Sequence, residues 1–456
     1  MSPYDTGDVV QKDKNHLWHH ITQHKPLQDT DPMVIVEGKG LRVTDINGRE
    51  YLDAVSGGVW TVNVGYGRES IADAVRDQLV KMCYFANSAG NIPGALFAER
   101  LIDKMPGLNR IYYSNSGSEA NEKGFKLVRQ LAAMKNNGEK HKVIYRDRDY
   151  HGTTITALSA TGQSQRKDQY GPYTPGFIEM PHCLAYRSPN GDHPDFGVQA
   201  AKELERVILE QGPDTVGSVC LEPITAGGGV IVPPEGYFET IQGICQRYGV
   251  LLHIDEVVCG MGRTGTWFGY QHFGVKPDIV TMAKGVASGY APISVTATTE
   301  ALFNEFLAEP GEKMSYFRDI STFGGCAGGP AAALENMRII EEENLLDNVN
   351  KMGDYLMDQL HVLEEKHAVI GQVRGKGLFV GIELVKDRDS REPVDESVAA
   401  GVAASCLRQG VMIGRTTRSF ADFNNTLCLS PALICTKDDL DEIVAAIDIG
   451  LSEIAL

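Results

Sequence analysis

Lys284 stands in the run DIVTMAKGVASGYAP, which spans Asp278 to Pro292. It follows a short apolar, strand-like segment, Ile279 to Met282, and precedes a loop with Gly285, Ser288 and Gly289. An ammonium at the end of a buried strand is costly unless it is paired or neutralised. A desolvated lysine gives up its proton readily and becomes a nucleophilic amine, fit to condense with an aldehyde. The plain alternative is a lysine on a surface turn. Upstream, LLHIDEVVCGMGRTG runs from Leu251 to Gly265, and its first four residues read as a buried strand closed by Asp255 and Glu256. Ligands in α/β sheets bind at the carboxyl ends of inner strands. Asp255 and Lys284 are separated by roughly 30 residues, about one crossover to the next strand, so both strand ends can face one cleft.

An aspartate that holds a pyridine nitrogen protonated, beside a lysine that condenses with an aldehyde, is the protein side of pyridoxal phosphate (PLP) catalysis. The stretch YYSNSGSEAN, Tyr112 to Asn121, supplies a place for a phosphate. It reads as a strand end, a turn and a helix start, with Ser116 and Glu119 spaced as a capping box. The first free N–H groups of that helix, near Gly117 and Ser118, form an anion site. The glycine patterns of P-loops and dinucleotide folds do not fit here. In RDYHGTT, Arg148 to Thr154, either Tyr150 or His151 offers a ring to a flat heteroaromatic cofactor, and Val257 is placed to pack the opposite face. Each element has an ordinary reading as a turn, a cap or a core residue. Their order, each at a strand end, carries the argument.

SGSEAN at Ser116, YHG at Tyr150, EP at Glu222, DEV at Asp255, AKG at Ala283 and STFGG at Ser321 resemble the class III aminotransferases of PLP fold type I. The likeness runs essentially end to end. It implies an α/β fold, with a mostly parallel central sheet in a large domain and a small α+β domain built from both termini. It also implies an aminotransferase in which Lys284 and Asp255 are catalytic. Gly117, Ser118, Tyr150, Glu222, Asp255, Val257, Lys284 and Thr322 are then expected to bind the cofactor. Glu222 is expected near the ring hydroxyl edge or an arginine of the substrate site. Thr322 resembles the family threonine that reaches the phosphate of a neighbouring subunit, so a homodimer or a dimer of dimers with shared sites is expected.

HLWHHITQHKPL from His16, SGGVWTVNVGYGRESI from Ser56, FRDISTFGGC from Phe317 and TRSFADFNNTL from Thr417 narrow the resemblance within the family. They imply taurine as amino donor and pyruvate as acceptor. The alternative is an ω-amino acid or amine donor such as β-alanine or hypotaurine. A guanidinium suits a sulfonate. Arg415 and Arg418, in GRTTRS, lie where the family carries its substrate arginine, and either fits. Trp60 matches the aromatic roof of the amine pocket in related ω-aminotransferases.

The elements that must position these residues are legible in outline. The 456 residues are 42% hydrophobic, enough for a large core and two or three structural units. A net charge of −17 argues against nucleic acid and anionic membrane partners. Nine cysteines without a CxxC pair signal neither zinc nor a redox pair, and reduced thiols in a cytoplasm are expected. His16, His19, His20 and His24 imitate a metal face, but no Cys, Asp or Glu is set beside them as a further ligand, so no metal is expected. The first residues are polar and acidic, unlike a signal peptide. No apolar run approaches the roughly 20 residues that span a bilayer. The division expected is 1–60 as leader and hairpin of the small domain, 61–325 as the PLP-binding domain and 326–456 as the rest of the small domain. A short helix is predicted over Leu17 to His24, then a hairpin turning at Asn47-Gly48. Strands are predicted at Arg110–Ser114, Lys142–Tyr145, Gly217–Leu221, Val250–Ile254, Asp278–Met282 and Ile293–Ala297. Helices follow at Ala331–Glu343, Leu346–His361 and Val398–Gln409, with two short strands after the last.

Overall fold

A computed structural model describes residues 5–454. Its centre is a seven-stranded sheet in the order Arg110–Ser114, Ser294–Thr298, Ile279–Met282, Leu251–Asp255, Val216–Leu221, Lys142–Arg146, Phe177–Met180. Only Ser294–Thr298 runs antiparallel to its neighbours; the remaining pairings are parallel. The inner strands Val216–Leu221 and Ile279–Met282 are buried along their whole length. That is why they read as mostly apolar without an alternating polar face, with Ser218 and Thr281 as buried exceptions. The helix Gly117–Lys135 packs on Ser294–Thr298 and Ile279–Met282, so its N-terminus opens beside the carboxyl ends of the inner strands.

Two smaller sheets flank this core. The first joins Ile35–Lys39, Arg42–Asp45 and Glu50–Asp53, and adds Val411–Met412 in parallel from the far end of the chain. Its predicted turn at Asn47-Gly48 is held by Asp45, whose Oδ1 accepts the N–H groups of Asn47 and Arg49, each at 2.9 Å. Gly48 takes the positive φ, 83°, that the turn needs. The second sheet is antiparallel: Ile370–Gly375, Val380–Leu384, Thr426–Leu429 and Gly414–Arg415. Helices Gly328–Glu342, Leu345–Lys366, Glu396–Arg408 and Lys437–Ser452 accompany it.

Several expectations need correction. The leader helix is Thr6–His16, capped by Asp5, and not Leu17–His24. Across the latter stretch His24 Nε2 takes the backbone N–H of His19 at 3.0 Å and Ile21 holds a φ of 49°. A side chain that captures a backbone donor competes with a helical turn. The edge strand Phe177–Met180 and the final helix Lys437–Ser452 were not expected, and three short strands follow Glu396–Arg408 rather than two. The leader histidines engage protein groups: His19 Nε2 lies 2.7 Å from Asp13 Oδ1. Among the described residues no group of His, Cys, Asp and Glu is placed to hold a metal, and no helix is long and apolar enough to cross a membrane.

Candidate active site

Asp255 and Lys284 follow adjacent parallel strands, and the ladder pairs Asp255 with Thr281. Both line a cavity of about 400 Å³ together with Gly117, Ser118, Tyr150, His151 and Val257. The loop that carries Lys284 is fixed from outside. Ser288 Oγ accepts the Val64 N–H at 2.9 Å, and Asn336 Nδ2 donates to the carbonyls of Gly285 and Val286 at 2.9 and 3.0 Å. Lys284 itself has a φ of 36°, a strained value for a residue with a Cβ. Burial pushes its ammonium below the ordinary lysine value, with Arg166 adding to the effect, against the pull of Asp255 and Glu222. Its Nζ lies 5.8 Å from the centroid of the Trp60 ring.

Burial alone would raise the carboxyl of Asp255, yet it is held below its ordinary value by its hydrogen bonds and the His151 ring. His151 Nδ1 lies 2.8 Å from Oδ2, Asn121 Nδ2 donates to Oδ2 at 2.7 Å, and the Val257 N–H donates to Oδ1 at 3.0 Å. Oδ1 keeps acceptor capacity for a donor in the cavity. At the other end Ser116 caps the helix through Glu119 N–H at 3.2 Å, and Glu119 Oε2 accepts the Asn115 N–H at 2.9 Å. The first helical bond is Ala120 N–H to Ser116 O, which leaves the N–H groups of Gly117 and Ser118 without helical partners.

The cavity fits a flat, phosphorylated pyridine aldehyde. It has amide donors and a helix dipole at one end, a carboxylate at the other and an amine at the side. The walls are set for close approach. A Cβ on Gly117 would meet both Val257 methyls at 2.9–3.0 Å, and one on Gly152 would meet Ser118 Oγ at 2.5 Å. His151 Nε2 is buried without a partner.

None of the other predicted residues, Trp60, Glu222, Thr322, Arg415 and Arg418, lines this cavity. Glu222, buried, accepts the N–H groups of Tyr150 and Ala226 at 3.3 and 3.2 Å and makes no ion pair with an arginine. Burial, with the carboxylates of Asp149 and Asp255 nearby, pushes it well above the ordinary carboxylic range. Trp60 packs edge-on to Phe379, with ring centroids 6.0 Å apart. Thr322 is exposed, on a short turn beside Ser321, and does not line the cavity. Arg418 lines a second cavity of about 510 Å³ that shares Tyr150 with the first. Arg415 borders neither cavity and bonds Glu396 Oε1 at 2.8 Å, as Arg418 does at 3.4 Å.

Sequence reasoning missed Arg166, which lines the second cavity. Its guanidinium lies 5.4 Å from the Tyr150 ring centroid and bonds only Gln163 Oε1 and the Thr417 carbonyl. Among the described residues no carboxylate pairs with it, and burial lowers its pKa. Nothing in the run SQRK distinguishes this arginine from a solvated one. Its position under Tyr150 becomes visible only in three dimensions.

The chain belongs to the class III aminotransferases: the family "Aminotransferase class-III" matches residues 25–450. It is thus a PLP-dependent transaminase. Among curated proteins it is 62% identical to the hypotaurine/taurine–pyruvate aminotransferase of Paracoccus denitrificans, over 100% of this chain and 99% of that one. It is also 62% identical to the taurine–pyruvate aminotransferase of Bilophila wadsworthia, over 98% and 97%. Among solved structures, an aminotransferase of Bacillus anthracis superposes with a TM-score of 0.95 at 39% identity, covering 100% of both chains. An (S)-enantioselective omega-transaminase of Thermomicrobium roseum gives 0.93 at 33%, covering 99% of each.

Proposed function

We propose that this transaminase moves the amino group of taurine to pyruvate, leaving sulfoacetaldehyde and L-alanine in two half-reactions at one site. The observation that carries the reading is Arg166, a guanidinium without a counter-charge, in a cavity that shares the Tyr150 wall with the cavity of Lys284. Donor and acceptor are both small anions. A sulfonate offers three acceptor oxygens and a carboxylate two, and the planar fork of an arginine serves either. Glu222, pushed up by burial and tied to backbone N–H groups, does not neutralise that charge. Arg418 is the second cation of the same cavity.

When bound, PLP supplies an electron-withdrawing ring that takes up the electron pair left on the amine-bearing carbon. The protein does the rest. Lys284 is the attachment point for the coenzyme aldehyde. As a neutral amine it accepts the proton from the substrate carbon, a step for which positioned bases contribute typically 10²–10⁴-fold. Asp255, as a carboxylate, would hold the ring nitrogen. The N–H groups of Gly117 and Ser118 would hold the phosphate. Tyr150 and Val257 would pack the ring, and Trp60 would roof the amine pocket.

We further take 61–325 as the coenzyme-binding domain, with 1–60 and 326–456 forming the small domain. We also propose a homodimer in the cytoplasm, with Thr322 reaching the partner's phosphate. Supporting this, exposed apolar side chains gather beside the Thr322 turn. Phe323 is 66% and Ile320 87% exposed, and Phe85 lies next to them through its N–H bond to the Gly325 carbonyl. A panel of amines assayed for alanine formation from pyruvate tests the substrate. Taurine and hypotaurine should lead, and a preference for uncharged amines would overturn the reading.

A further inference from the structure

Behind Asp255 lies a buried run of polar side chains that the catalytic scheme does not use. Asn121, His253 and Thr281 are each at least 99% buried. Asn121 Nδ2 lies 2.7 Å from Asp255 Oδ2 and 2.8 Å from the His151 carbonyl, both acceptors, so this atom is the amide nitrogen. Asn121 Oδ1 therefore faces Thr281, whose hydroxyl donates to it at 2.6 Å. With its one proton committed, the Thr281 oxygen accepts from His253 Nε2 at 3.1 Å. His253 must then carry its proton on Nε2, and its buried Nδ1 has no partner. Burial depresses its pKa to about 3, which keeps the ring neutral. Gly124 makes room for it, since a Cβ there would meet His253 Cε1 at 2.6 Å.

We infer that Thr281 is a positioning residue for the reaction, the link that closes a one-way chain of donors from His253 through Thr281 and Asn121 to Asp255. Donors aligned head to tail polarise one another, and in a dry interior the effect sums at the terminal acceptor. Here that acceptor is the carboxylate that faces the ring nitrogen of the coenzyme, so the inference rests on the family's coenzyme site. The chain keeps Asp255 anionic while its neighbour carries the proton. Without it Asp255 becomes more basic, and the shared proton shifts from the ring toward the carboxylate. The mid-helix glycine also gains a reason: it is small so that the first donor can stand behind the acid.

The test compares holoprotein of wild type, Thr281→Val and Thr281→Ser. Val removes the hydroxyl at nearly constant volume; Ser restores it. The readouts are the pH profile of the bound coenzyme's absorption band and the single-turnover rate of proton abstraction from the substrate carbon. Losing the Thr281 hydrogen bond to Asn121, one link behind the acid, weakens the polarisation of the bond that Asp255 keeps; it should move the profile of Thr281→Val upward by about half a pH unit and slow proton abstraction roughly 3-fold. Thr281→Ser should return both to within about twofold of wild type. Should Thr281→Val fail to fold, His253→Phe, which removes the first donor, should shift the profile in the same direction. A merely structural threonine would lower the melting temperature and leave the profile in place. An unmoved profile and rate in Thr281→Val, or in His253→Phe if that variant must serve, overturns the chain of donors. Absence of any coenzyme band in wild type would instead overturn the site on which it rests.

Discussion

Asp255 lies directly across the strand ladder from Thr281, three residues before Lys284. The parallel register thus carries the acid and the amine to the same edge of the sheet. No flexible loop has to bring them together, and the positive φ at Lys284 then turns its side chain into the cavity.

Lys284→Ala should abolish alanine formation from pyruvate while leaving the fold intact. Both the attachment point and the proton acceptor are lost, so turnover should fall by more than about 10⁴-fold. Steady-state assay with circular dichroism as control checks this.

Arg166→Gln should raise KM for taurine far more than for an uncharged amine of similar length. A hydrogen bond to a charged group contributes about 1.5–3 kcal/mol, or roughly 10–150-fold. Arg418→Gln should show the same selectivity, weakened because Arg418 already shares Glu396. Arg415→Gln, outside both cavities, should leave the ratio of the two KM values unchanged.

How much of this was legible in the sequence differs by residue. The six predicted strands appear within a residue of their expected ends, because short stretches dominated by apolar, β-branched and aromatic residues announce them. Phe177–Met180 was not legible: it is only four residues long and Glu179 interrupts its apolar residues. The leader helix was misplaced because the His24 side chain competes with the backbone in a way that periodicity does not reveal. The placement of Asp255 and Lys284 at strand ends and the Ser116 cap were readable because these features are local to strand and helix ends. Arg166 and the donors behind Asp255 were not, because their meaning lies in partners 16 to 160 positions away along the chain.

Acid should withdraw the stability linked to two desolvated histidines, His182 and His253. Burial depresses His182 and His253 from 6.5 to about 3. Between those values the unfolded chain binds more protons than the folded one. The stability linked to these rings is therefore complete above pH 6.5 and is lost as pH falls toward 3. The ring's share is read by difference: the stability advantage of wild type over His253→Asn, from denaturant midpoints, should shrink as pH falls from 7 to 4.

Between about pH 4.5 and 8 Glu256 works in the opposite sense. Burial raises it from 4.5 to about 8, so the folded state holds a proton that the unfolded chain releases. Stability should decline as pH rises from about 5 to 8. Glu256→Gln should remove that slope, which thermal denaturation at a series of pH values can read.

Phe323→Asp should loosen self-association. A charge placed at a 66% exposed aromatic on the Thr322 turn costs little in a monomer and much in a buried contact. Sedimentation velocity should show a dimer in wild type and a dissociating species in the variant, with weaker retention of coenzyme. A monomeric wild type that holds coenzyme equally well would remove Thr322 from a shared site.

The attachment of the coenzyme to Lys284 is tested most directly by reducing the holoprotein with borohydride and mapping the modified peptide. The account predicts one reduced coenzyme adduct, on the peptide that carries Lys284, and none after Lys284→Ala. An adduct on another lysine, or no stable adduct in protein that turns over, would contradict it.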